Sequence, residues 1–208
     1  MSIKKEQQIY TEIGSIIENF CLNNGFESWV NNNNLLQWGQ PTMQGLPNPC
    51  ILMNYYNGSK VGWVSTKYKW NKDSKEGKAE ISNYRKIIMT LTFFRDPKDL
   101  ENASKNDSNG DIDIIMPEDV ANAIRMYFLS DLGISELHRL GYSILDTSLI
   151  RNPIIETDDE KYARTPNFDI TLTSFESIEV NSDFIPYEQQ KEDFSQNKTL
   201  GKSQIIGV

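Results

Sequence analysis

Oxygen-bearing side chains recur at every second position in Lys105-Asn-Asp107-Ser-Asn109-Gly110-Asp111-Ile112-Asp113, the rhythm of a calcium-binding loop. With Gly110 as the turn glycine, Asp107, Asn109, Asp111 and Asp113 take the odd ligand positions and Ile112 the hydrophobic one. The ends fail. Lys105 stands at the first ligand position and Met116 where a bidentate acid belongs, so two strong oxygen ligands are missing and a repelling cation is added. The segment therefore reads as a solvated loop. Glu156-Thr-Asp158-Asp159-Glu160 offers paired carboxylates for a divalent cation and is read the same way. His138, the single histidine, has no cysteine nearby and no second ligand at helical spacing, so it reads as surface or half-buried structure.

Other chemistry is missing from the chain. There is no Gly-x-Ser-x-Gly, no phosphate loop, no His-Glu-x-x-His and no glycine fingerprint after a strand. No enzyme, cofactor or metal is expected. Cys21 and Cys50 read as reduced core thiols, because one conceivable bridge in a chain without a secretory signal is poor material for a disulfide framework. The opening residues carry no apolar signal segment, and no apolar run is long enough to span a bilayer, so neither export nor a membrane partner is expected.

Residues 60 to 86 hold 8 basic against 3 acidic groups and interleave Lys67 and Lys69 with Trp63, Tyr68 and Trp70. Two readings stand beside each other. Lysines for phosphates and aromatic rings for bases would make a single-strand nucleic-acid platform from Lys67, Lys69, Trp63 and Trp70. Alternatively the lysines line a solvated strand edge and meet an acidic partner surface. Charge along the whole chain favours the second. The net charge is −8, and residues 105 to 208 hold 9 basic against 19 acidic groups while residues 1 to 104 hold 12 against 10. A copy of the same chain thus offers an acidic surface, with Asp111 and Asp113 as candidates opposite the basic patch, and head-to-tail contact of this kind closes into a ring when the rotation allows.

The elements that must position these groups follow from periodicity. With 208 residues and 38 % hydrophobic content the chain can bury a real core. Ile9, Ile13, Ile16, Ile17 and Phe20 share one stripe, predicting a helix from about 3 to 23 that Asn24-Gly25 stops. The asparagines at 31–34 and the prolines and glycines of 39–49 predict an irregular connection. Ile51–Tyr56 and Val61–Trp70 read as strands of a hairpin turning at Asn57-Gly58. Residues 85 to 94 alternate, with Ile87, Met89, Leu91 and Phe93 on one face, predicting a central strand.

Residues 96 to 111 predict a polar loop. Val120, Ile124 and Phe128 predict a helix over 117–130 broken at Gly133, followed by a shorter helix ending at Gly141. Strands are predicted at 142–156 and 167–180. The fold class is α+β: a mainly antiparallel sheet with helices on one face, in one domain over 1–180, with a C-terminal arm over 181–208.

The succession Ile16-Ile-Glu-Asn-Phe20, Pro47-Asn-Pro49-Cys-Ile-Leu-Met-Asn-Tyr-Tyr56, Ile87-Ile-Met-Thr-Leu-Thr-Phe-Phe94 and Asp119-Val-Ala-Asn-Ala-Ile-Arg-Met-Tyr-Phe128 resembles the tail terminator, or neck terminator, proteins of long-tailed bacteriophages. The resemblance spans about residues 9 to 180. It implies a structural virion protein: a hexameric ring that caps the tail tube, ends its polymerisation and docks the head connector. Its partners would be the tail tube protein, the connector or another neck protein, and genomic DNA passing through the lumen without specific binding. It would be assembled in the host cytoplasm. No residue is carried over as catalytic. A neck or head–tail adaptor and a tail-completion protein of similar fold are the alternatives.

Overall fold

The computed structural model describes residues 4–37, 46–71, 76–99, 115–156 and 162–182. The predicted 96–111 loop lies mostly outside them, as does the C-terminal arm from 183 onward. Helix α1 spans Glu6–Asn23. Ile9, Ile13, Ile16 and Ile17 are buried as the stripe predicts, and Asn24 Nδ2 donates to the Phe20 carbonyl at 2.7 Å before Gly25 turns the chain at φ +80. Strands follow as β1 (Leu35–Gln37), β2 (Cys50–Asn71) and β3 (Glu76–Phe94). Helices α2 (Pro117–Leu129) and α3 (Asp131–Arg139) lead into β4 (Tyr142–Thr147), β5 (Ile154–Glu156), β6 (Tyr162–Arg164) and β7 (Asn167–Ser182).

The sheet order is β1-β2-β3-β7-β4, with β5 and β6 forming a separate antiparallel ribbon. The strand expected to be central, β3, is central. It pairs with β7 antiparallel: the Tyr84–Phe175 ring contact, the Thr90–Asp169 hydrogen bond and the Phe93–Pro166 backbone bond ascend one strand as they descend the other. Only residues 72–75 separate β2 from its neighbour β3, too few for a crossover, so that pair is antiparallel too. β4 pairs with β7 antiparallel, and only β1 lies parallel to its partner, at Ile51–Met53. The α+β class is as expected.

One face of the sheet, carrying Ile87, Met89, Leu91 and Phe93 with Phe168, Ile170 and Leu172, is fully buried and forms one core with the stripes of α1, α2 and α3. Rings interlock there. Phe93 stacks on Phe168 at 6.0 Å and meets Trp29 edge-on at 6.3 Å. Cys21 and Cys50 are free and buried, as expected, and burial pushes both thiols up to about 12.

Three expectations need correction. No turn occurs at Asn57-Gly58: β2 runs unbroken from Cys50 to Asn71, and the β2–β3 connection falls at 72–75. Asparagine and glycine tolerate a left-handed turn without requiring one, and continuous pairing with β3 outweighs that tolerance. Within β2 a left-handed backbone occurs at Gly62, at φ +81. Second, α2 breaks at Ser130, not at Gly133. Ser130 has extended backbone, donates to the Tyr127 carbonyl at 2.6 Å and accepts from the Gly133 amide at 3.3 Å, so one hydroxyl serves the end of one helix and the start of the next. Third, the run 142–156 is two strands in different sheets, while β1 and β6, each three residues long, were not expected.

The chain forms two compact units. Of the described residues, the larger takes in those between 4 and 61 and between 84 and 175, with the hydrophobic core cluster, and the smaller takes in 62–71, 76–83 and 176–182.

Candidate functional site

The smaller unit is built from the ends of three strands: residues 62–71 of β2, 76–83 of β3 and 176–182 of β7. Every side chain from Gly62 to Lys69 is exposed, on both sides of the strand. A strand exposed on both faces contributes little to a core, so its side chains lie where solvent or another molecule can reach them.

Alternation gives the two faces different chemistry. On one lie Trp63, Lys67 and Lys69 of β2, Lys78 and Glu80 of β3, and Glu179 of β7. Lys69 Nζ donates to Glu80 Oε2 at 2.9 Å and stands 3.7 Å from Glu179 Oε1, while Lys78 Nζ lies 3.9 Å from Glu179 Oε2. The hydrogen bond to Glu80 holds the Lys69 ammonium above its ordinary range, and reciprocally Lys69 holds the Glu80 carboxyl below its own. Trp63, 98 % exposed, presents its whole indole to solvent on the same face, six residues along β2 from Lys69.

The other face is apolar. It carries Val64, Tyr68 and Trp70, with Ala79 and Ile81 of β3 and Ile178 and Val180 of β7. Val64, Tyr68, Ile178 and Val180 are exposed, and the Trp70 indole Nε1 is buried with no hydrogen-bond partner.

Trp63, Lys67 and Lys69 thus share a face and Trp70 lies on the opposite one. Asp111 and Asp113 lie outside the described residues. The lysine and aromatic face is not uniformly basic, since Glu80 and Glu179 stand among its lysines and oppose phosphate. Lys78 belongs to the basic run seen in the sequence, whereas Glu80 and Glu179 were missed: they come from two strands, β3 and β7, and only the cross-strand register joins them to Lys69. Their sole sequence signal is the Lys78-Ala-Glu80 alternation.

Elsewhere the outward face of the larger unit's sheet carries a polar cluster. Asp169 accepts from Thr90 Oγ1 at 2.5 Å and from Arg151 at 3.0 Å to each carboxylate oxygen; Arg151 Nε also donates to Asn167 at 3.0 Å. The arrangement ties the segment after β4 to β7. His138 is exposed in the last turn of α3. Among the described residues no group of three or more His, Cys, Asp or Glu side chains could hold a metal ion, and no helix is long and apolar enough to cross a membrane.

A family model described as E217 gateway protein gp29 matches residues 8–184. The chain belongs to this gateway protein family. The family is a phage structural family of the gateway and neck, not an enzyme class, which agrees with the expected kinship to neck proteins at that level. The match takes in α1 from its third residue onward, the complete five-stranded sheet and all three strands of the two-faced unit. No curated protein matches the chain.

Proposed function

We propose that this chain forms a closed hexameric ring in the neck of a phage particle. The ring seats on the head-proximal end of the tail tube, ends its polymerisation and docks the head connector, as a tail terminator does. The gateway family match over residues 8–184 supports the neck position, and the resemblance of the element order to tail terminators supports the terminator role. The chain acts through surfaces, with Trp63, Lys67, Lys69 and Trp70 of the two-faced unit, and Asp111 and Asp113, in subunit or partner contacts. Genomic DNA passes through the lumen without specific binding, because a net charge of −8 gives phosphates little to neutralise.

The test is made on particles. Labelled copies should sit at the junction of head and tail, and a phage lacking the chain should make tails of uncontrolled length or tails without heads. Labels elsewhere in the particle would sink the neck reading. Labels at the neck with tails of normal length would leave a head–tail adaptor and remove the terminator role.

A further inference from the structure

After Trp63, the most exposed large apolar side chains among the described residues are Leu149 (79 %), Leu132 (72 %) and Met126 (69 %), and all three belong to the larger unit. The fold brings them to one corner. Arg125 Nε donates to the Ser148 carbonyl at 2.8 Å, which lays the chain just past β4 against α2, and Gly133 packs so closely on the last turn of α2 that a Cβ there would meet the Tyr127 carbonyl. These two contacts bracket Met126 and bring Leu149 and Leu132 to either side of it. Leu129, three residues on from Met126 and also exposed, extends the strip along the helix. Contiguous exposed apolar groups of this kind, rimmed by polar ones, mark surfaces that meet another molecule.

The rim of the corner is acidic. Asp131 adjoins Leu132, and Asp119 lies on the exposed stripe of α2 that runs through Asn122 to Met126 and Leu129; both carboxylates are exposed. The neighbouring cations are held elsewhere: Arg125 on the Ser148 carbonyl and Arg151 on Asp169, while His138 and Arg139 stand in the last turn of α3. The same corner on a second copy is a poor partner, since one carboxylate rim would face another. A surface that sets a large apolar group beside a positive charge is a good one. β2 carries it: Trp63 and Val64 are exposed, and the exposed Lys67 follows Trp63 by four residues on the same face, within a run of 8 basic against 3 acidic groups over residues 60 to 86.

We infer that the occupant of this corner is a second copy of the chain: Trp63 of one subunit packs on Met126, Leu132 and Leu149 of the next, with Lys67 directed to the rim at Asp131. The indole supplies the apolar contact, and the lysine sets which way the two copies meet. Because the two surfaces are different, the contact is head-to-tail and repeats from subunit to subunit until the ring closes. This inference deepens the ring reading above and rests on it.

Photo-cross-linking in assembled particles tests it. Trp63→p-benzoylphenylalanine keeps an aromatic group at the position, and irradiation should give a species of twice the subunit mass whose joined peptides carry position 63 of one copy and residues between 119 and 149 of another. In particles whose ring is visible by microscopy, an adduct to a different virion protein, an adduct to another part of this chain, or no adduct overturns the contact and leaves the ring standing. Particles without a ring of this chain overturn both. Charge exchange gives a second readout that a merely structural role would not move. Lys67→Glu and Asp131→Lys should each lower incorporation into particles several-fold while melting within a few degrees of the parent, and the double variant should recover most of the loss. Single variants that incorporate normally, or a double variant with no recovery, overturn the pairing.

Discussion

The Tyr142 hydroxyl donates a 2.5 Å hydrogen bond to Glu12 Oε2, joining the first residue of β4 to the middle of α1. Lys4 Nζ reaches the same oxygen at 2.6 Å and lies 4.0 Å from the Tyr142 ring centroid, while Gln8 donates to the other oxygen at 2.9 Å. Burial by itself would raise the Glu12 carboxyl, but its three donors outweigh it and hold the group below its ordinary 4.5; burial, then the carboxylate beside it, push the Tyr142 phenol up from 10.0. Glu12 thus contributes stability that is present above about pH 4.5 and is lost as pH falls through its depressed folded value. Tyr142 contributes stability that is present below about pH 10 and is lost as pH rises through its raised one. Urea unfolding of Glu12→Gln should show a flatter acid limb and a loss at neutral pH of roughly 1–3 kcal/mol. An acid limb unchanged from the parent would mean that Glu12 is not the group responsible.

A Cβ on Gly133 would lie 2.2 Å from the Tyr127 carbonyl oxygen. Alanine is favoured over glycine in a helix by about 1 kcal/mol, so propensity alone predicts that Gly133→Ala stabilises α3. The steric term has the opposite sign and is larger, because the atom in the way is backbone, and overpacking of this kind costs roughly 1–3 kcal/mol or more. A lowered melting temperature is expected; a raised one would show that α2 and α3 separate without cost.

Arg151 grips both oxygens of Asp169, and the two side chains are 56 % and 27 % exposed. Solvent screening limits such a pair to about 0.2–1 kcal/mol. Asp169→Ala also strands the Thr90 hydroxyl, and so should cost more than Arg151→Ala. A double-mutant cycle measures the pair, and coupling well above about 1 kcal/mol would contradict the screening estimate.

Trp63 touches little of its own chain, so Trp63→Ala should leave unfolding free energy within roughly 0.5 kcal/mol of the parent. Assembly into particles should fall several-fold, since exposed indoles in an interface carry a disproportionate share of its energy. Unaltered assembly would remove Trp63 from any interface.

Local periodicity made much of the fold legible. Ile9 to Ile17, Ile87 to Phe93, and Val120, Ile124 and Phe128 repeat with the period of the element they form, and burial in one core reinforces each pattern. β1 and β6 are too short to show any period. Asn57-Gly58 misled because turn chemistry is a local permission that a long strand can decline. Of the candidate site, Trp63, Lys67 and Lys69 were visible as an alternating basic and aromatic run, whereas Glu80 and Glu179 are brought to them only by register between strands distant in sequence.

Neither cysteine thiol of this chain can reach a partner or a dissolved oxidant while the fold holds. A phage structural protein leaves a cell interior rich in reductant for an aerated medium when the host lyses, and Cys21 and Cys50 pass through that change with no bond made or broken. The cysteines therefore make no part of its durability depend on the forming or breaking of a disulfide.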